Sequence, residues 1–346
     1  MKLTIYHTND IHSHLNEYAR IQSYIADHRS QLQHPSLYLD IGDHVDLSAP
    51  ITQATLGKKN IELLNEAQCD IATIGNNEGM TISHEALQNL YTDAQFKVIC
   101  ANLFDEEGHL PNHMSSSYIK EINGVRILFV AATAPFTPFY RALDWVVTDP
   151  LEAIKDEIND HKDQYDILIV MSHVGVFFDE KLCQEIPEID LILGSHTHHY
   201  FEHGEMNNGV LMAAAGKYGH FLGEVNLDIE DKKVTSKTAC LHPLEQLPQV
   251  ETDFDSEGKA LMSKPVVNHP IKLENKTDVI TKTSYLLAES VYEFTNADCT
   301  IINAGLIVKG LDSDEITEFD IHQMLPHPIN VVRVKLTCLL YTSPSP

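Results

Sequence analysis

The chain has 346 residues, 43% of them apolar, and a formal charge of −26. That length suits two domains or one large one, and the apolar share supports a packed core rather than a disordered chain. Such a surplus of carboxylates argues against a nucleic acid polymer as partner, because phosphate backbones recruit Lys and Arg. It leaves room for small phosphorylated substrates held through metal ions.

The opening MKLTIYHTND enters a strand at once, so no signal peptide is expected. No run approaches the roughly 18 apolar residues of a membrane span, so no membrane partner is expected either. The six cysteines, at positions 69, 100, 183, 240, 299 and 338, are scattered and form no CxxC pair. They read as free thiols, mostly buried, which points to a cytoplasmic protein.

In chain order, residues 3–8 read as a strand and residues 16–31 as a helix with apolar positions at Tyr18, Ile21, Tyr24 and Ile25. SLYLDIG is the next strand, 58–67 a helix, CDIATIGN a strand, 82–90 a helix and FKVICANL a strand. This alternation marks an α/β layered fold. Asn123–Gly124 between YIKEI and VRILFVAAT signals a hairpin, hence an antiparallel margin. A helix over 150–162 opens with Asp149 as cap and Pro150 in its first turn. YDILIVMSH, IDLILGSHTH and GVLMAAAG give three further strands, and 223–244 folds back on itself at 230–232.

The first domain is expected to span 1–245, followed by a polar, proline-broken linker over 246–274 and a second α/β unit over 275–337. In that unit 284–295 reads as a helix, 298–310 as a strand with a glycine turn, 316–326 as a helical turn and 329–337 as a strand. With so little to pair against, the unit reads as an incomplete domain, and 338–346 as an atypical tail.

Seven side chains with metal-binding chemistry fall in five clusters at or near the ends of the strands. They are Asp10 and His12 in NDIH, Asp43 in IGD, Asn76 in GNNE, His173 in MSH, and His196 and His198 in SHTH. Borderline divalent ions accept nitrogen and oxygen together, and a pair of them needs one shared carboxylate. Asp43, closing a tight turn, is the natural bridge. One ion would take Asp10, His12, Asp43 and His198; the other Asp43, Asn76, His173 and His196. With 20 histidines in the chain, some lie near strand ends by chance. His14, His44, His84, His161, His199 and His220 read as surface or supporting groups.

DIH, GD, GNNE, a lone SH and SHTH together resemble the calcineurin-like metallophosphoesterase superfamily, and HTNDIHSHL and LILGSHTHH resemble its 5′-nucleotidase and UDP-sugar hydrolase branch. The resemblance covers 1–245 and continues weakly over 270–337. It implies a four-layer α-β-β-α metal domain, then a partial α/β C-terminal domain of the 5′-nucleotidase type. It also implies two divalent ions, zinc, manganese or similar, with a bridging water attacking the phosphorus of a nucleotide ester or anhydride. The same ligand assignment follows from it position by position.

The chain departs from that pattern twice. Where the family has a proton-donating histidine, this chain has Asn77, and Gly79 and Met80 follow where an aromatic residue and an orienting Asp would stand. Asparagine donates a hydrogen bond but no proton near neutral pH. A slow enzyme, a good leaving group or a substitute acid would follow, with His44 and His199 nearest in sequence. A metal-dependent nucleotide-binding or regulatory protein without turnover is the alternative function. In the second unit Asn303 and Gly305 match the family's NGG substrate motif, whereas Ala304 replaces a glycine and Val308 stands where an arginine is expected.

Overall fold

The structure is a computed structural model and describes residues 1–275 and 280–336. The tail over 338–346 and the last residue of the strand expected over 329–337 lie outside the described residues. The chain divides into two compact units, Met1–Leu261 and Met262–Pro346.

The first unit holds two sheets. One has seven strands in the spatial order Lys233–Pro243, Phe221–Glu230, Lys2–Thr8, Ser36–Asp40, Ile71–Thr73, Lys97–Ile99 and Met114–Ser115. The other has six, in the order Glu205–Asn207, Val210–Ala213, Leu191–Gly194, Ile167–His173, Val125–Thr133 and Ser117–Ile122. Parallel strands fill the middle of each sheet, and antiparallel strands close the margins. Both sheets are buried on two faces, which is why their strands read as continuous apolar runs.

Alternation along the strands sorts side chains into layers. Leu3, Ile5, Leu37 and Leu39 meet Ile127, Phe129, Ile167 and Ile169 between the sheets. Tyr6, Tyr38 and Val98 face outward against the helices Leu15–Gln31, Lys58–Glu66 and His84–Leu90. Leu128, Val130 and Leu168 do the same against Pro150–Asp160 and Val176–Glu185. The result is four layers, α-β-β-α. Asn123 and Gly124 make the expected two-residue hairpin turn, both with positive φ. Asp149 caps its helix through Leu151 and Glu152, as expected.

The helix Val176–Glu185 has no counterpart in the sequence reading; it starts three residues after His173 and carries a weak apolar period. Within 246–274, read as linker, the helix Phe254–Leu261 packs on the helix Pro50–Thr55 and belongs to the first unit. No helix among the described residues is long and apolar enough to cross a membrane.

The second unit has a small core of Ile307, Leu311, Ile316 and Met324. Thr281 caps the helix Lys282–Thr295, and Thr317 caps Glu318–Met324. Two expectations fail here. Residues 298–310 form no strand but a 3₁₀ turn, Ala304–Leu306, and 329–336 form no strand either. The physical reason is common to both: no other strand pairs with these segments among the described residues. Val331, Val332, Val334 and Leu336 are accordingly exposed.

Candidate metal centre

The seven candidate ligands follow, or end, five parallel strands at the same edge of the two sheets. Asp10 and His12 lie beyond Lys2–Thr8, Asp43 beyond Ser36–Asp40 and Asn76 beyond Ile71–Thr73. His173 ends its strand, and His196 and His198 follow Leu191–Gly194. Five of the seven have left-handed backbones: Asp10 (φ 52°), His12 (46°), Asp43 (51°), His196 (70°) and His198 (55°). Left-handed backbone is uncommon outside glycine, and Asp and His are among the residues that tolerate it. The turns are held by backbone hydrogen bonds: Asp10 N donates to Gly42 O at 3.0 Å and His12 N to Asp43 O at 2.8 Å.

These turns bring the side chains into two groups, Asp10 with His12 and His198, and Asp43 with His173 and His196. The groups are joined across the carboxylates. His12 Nε2 lies 3.8 Å from Asp10 Oδ1 and 3.7 Å from Asp43 Oδ2. His173 Nε2 lies 3.3 Å from Asp43 Oδ2 and 3.9 Å from Asp10 Oδ1, and His198 Nε2 lies 3.5 Å from Asp10 Oδ1. Asp10 Oδ1, Asn76 Oδ1 and His173 Nε2 are buried without a hydrogen-bond partner. Leaving buried polar atoms unpaired is costly. Mixed oxygen and nitrogen donors converging on that gap fit divalent cations of the zinc or manganese kind.

For Asp10, Asp43 and His173 the other polar atom is tied down, which fixes the direction of the free one. Asp10 Oδ2 accepts from Asn9 Nδ2, Ser195 Oγ and His196 N. Asp43 Oδ1 accepts from Asn77 N at 2.7 Å, and His173 Nδ1 meets Ile41 O at 2.6 Å. Burial works against a charge on His173, yet Asp43 and Asp10 push it up to about 10. Burial would likewise raise Asp43, but His173 holds it down at about 2. These opposite shifts are the mutual stabilisation of an imidazolium–carboxylate pair, whose proton on Nε2 a divalent cation would displace.

Glu78, a motif residue to which the sequence assigns no task, is 1% exposed and accepts from Asp43 N, Val45 N and Gly75 N. It welds the Asp43 turn to the Asn76 turn. Burial and the neighbouring Asp43 push its carboxyl up to about 7. Gly75 stands where a Cβ would come within 2.0 Å of Asp43 Oδ1 and 2.5 Å of His173 Cε1, so no larger residue fits.

Asn77 lies at the rim. Its Nδ2 is 2.9 Å from His12 Nδ1 and 3.2 Å from Asp46 Oδ2. Asp46, which the sequence reading missed, also meets His12 Nδ1 at 3.2 Å. The only sequence signal for it is its place three residues after Asp43. Tyr140, from another element, fills the space over Gly79, where its ring would lie 2.4 Å from a Cβ. His44 and His199 are poorly suited as substitute acids. Burial drives them down to about 3 and about 4, and His44 is packed edge-on against Tyr18 beside Asn60. Tyr218 borders the open side, stacked on His14 at 4.2 Å and edge-on to His12.

Asn303 and Gly305 belong to the second unit. Both are exposed, and Asn303 Oδ1 accepts from Gly305 N at 2.9 Å within the 3₁₀ turn.

The profile of the calcineurin-like phosphoesterase family matches residues 3–200, and the chain belongs to that family. The uncharacterized metallophosphoesterase YunD of Bacillus subtilis is 40% identical over 349 residues, covering 97% of this chain and 76% of that protein. The trifunctional nucleotide phosphoesterase YfkN of B. subtilis is 25% identical over 94% of this chain, which spans only 26% of it. A solved structure of a putative 5′-nucleotidase from Staphylococcus aureus has the same fold, with a TM-score of 0.70 at 15% identity over 95% of this chain and 72% of that one.

Proposed function

We propose that this metallophosphoesterase uses two divalent ions to hydrolyse phosphate esters or anhydrides of nucleotides. The observation that carries the reading is the convergence of six donor side chains in two adjoining groups, with Asp10 Oδ1 and His173 Nε2 among them, and Asn76 Oδ1, left buried without a hydrogen-bond partner. Asp10, His12, Asp43 and His198 would hold one ion, and Asp43, Asn76, His173 and His196 the other. Such a pair lowers the pKa of bound water and neutralises phosphoryl oxygens. The chain's own part is orientation. Asp46 holds the His12 ring, Ser195 and the Ile41 carbonyl hold His173, and Glu78 fixes the turns that present Asp43 and Asn76. The Asn77 amide, once turned from Asp46, would donate a hydrogen bond to a phosphoryl oxygen but has no proton to deliver. That favours substrates whose leaving group departs as an anion, such as a nucleoside diphosphate sugar, over simple alkyl esters. Asn303 and Gly305 are proposed contacts for the nucleoside part. Among the described residues the cysteines carry free thiols, which supports a cytoplasmic setting.

Phosphate release from nucleoside monophosphates, diphosphate sugars and cyclic nucleotides, with and without chelator, tests the reading. Hydrolysis that survives removal of both ions sinks it. Asn77→His should speed poor leaving groups most, since general acid help is typically worth about 10²–10⁴-fold. Asn77's engagement with His12 and Asp46 favours one rival, a metal-dependent binding protein. Tight nucleotide binding with no turnover across the panel would select that reading.

A further inference from the structure

A second set of ligand-type side chains lies on the two C-terminal strands of the seven-stranded sheet. Glu224 pairs directly with Cys240 in the antiparallel register, and His242 is two residues along from Cys240. All three side chains therefore project from one face. It is the face that carries Tyr6 and meets the helix Leu15–Gln31, whose Tyr24 packs against His242. Their ligand atoms all lie within 4.8 Å of one another. His242 Nε2 is 2.9 Å from Glu224 Oε2 and 3.9 Å from Cys240 Sγ.

We propose that Glu224, Cys240 and His242 form a further cation site for a thiophilic divalent ion of the zinc class. The donor set of one sulfur, one imidazole and one carboxylate is one that zinc accepts and that magnesium or calcium does not favour. In a tetrahedral zinc site the sulfur and nitrogen ligands stand about 3.5 Å apart, so the observed separation needs only a small closure, and the carboxylate a small opening. The set is also oriented from behind. His242 Nδ1 meets Tyr24 Oη at 3.3 Å, and Glu224 Oε1 accepts from Asn226 Nδ2 at 2.7 Å. These contacts leave Nε2 and Oε2 facing the shared point, the arrangement in which outer groups fix metal ligands. The Glu224 and His242 side chains are 20% and 24% exposed, which gives an ion a route in and a place for a fourth ligand from solvent. Binding would release the thiol proton of Cys240 and any proton on Nε2 of His242 to solvent, and no electron transfer is involved.

Cobalt(II) distinguishes this site from the main one, which offers only nitrogen and oxygen. Titration of the metal-free full chain with cobalt(II) should produce a thiolate-to-cobalt absorption band. The band should vanish in Cys240→Ser and in His242→Ala, each with one metal equivalent fewer and with phosphoesterase activity kept. Circular dichroism of the two variants establishes that they fold. No band in the unsubstituted protein, a band that persists in Cys240→Ser, or unchanged metal content in the folded variants would each overturn the proposal.

Discussion

The two halves of the metal centre are built differently. Around Asp10, Asp43 and His173 the site is sealed: the side chains are 0–3% exposed, and each has its second polar atom paired, Asp10 with Ser195, His173 with the Ile41 carbonyl and Asp43 with the Asn77 amide. Around His12, Asn77 and His198 the site opens, with His12 and His198 at 12% and 33%. There the partners are rim groups, Asp46 and Tyr218. Sealing supplies rigidity and a low effective dielectric; openness supplies room for a phosphoryl group. Asn77, the departure that bears on proton delivery, falls on the open half, whereas Gly79 is buried under Tyr140.

The contrast ranks the effects of substitution. Asp43→Ala removes the carboxylate nearest both groups, so metal content should drop and phosphate release should fall to background. Full metal stoichiometry in that variant would break the picture. Gly75→Ala adds a single methyl group against Asp43 and His173. It should cost about 1–3 kcal/mol of stability and weaken metal binding, read from thermal unfolding and metal content together. Asp46→Asn acts only at the rim. Metal affinity or activity should fall about 10–100-fold with little change in melting temperature, as expected when a histidine ligand loses its outer partner.

The smallest effect concerns His7, which is as buried as His173 but has no carboxylate beside it. Burial alone lowers it from 6.5 to about 4. Its neutral form is the folded form, so its contribution is intact above pH 6.5 and is lost as pH falls toward 4. Denaturation at stepped pH should show that loss, and NMR of the ring should show it neutral at pH 5. A ring already protonated at pH 5 would contradict the assignment.

Much of this was legible in the sequence because parallel strands buried on both faces advertise themselves as apolar runs, and ligands placed at their ends inherit that signal. YLDIGD and LIVMSH each give both the strand and the residue that follows or ends it. Bracing was harder to read. Glu78 meets Gly75 N as a capping-box residue, a local pattern, but its contacts with Asp43 N and Val45 N, 35 and 33 residues away, are encoded by none. Asp46 acts across 34 residues on His12, and Tyr140 fills the space beside Gly79 from 61 residues away. In the second unit the apolar alternation of 329–336 looked like a strand, but strand formation depends on a partner that the segment itself does not specify.

The left-handed turns at Asp10, His12, Asp43, His196 and His198 carry a consequence for protein engineering. Transplanting this constellation to another scaffold would require copying the chain path as well as the side chains. Replacing Asp10 by Glu keeps a carboxylate but gives up a residue type enriched in that conformation. A library that varies ligand chemistry while the loops stay fixed would therefore find few functional members beyond Asp, Asn and His at these positions.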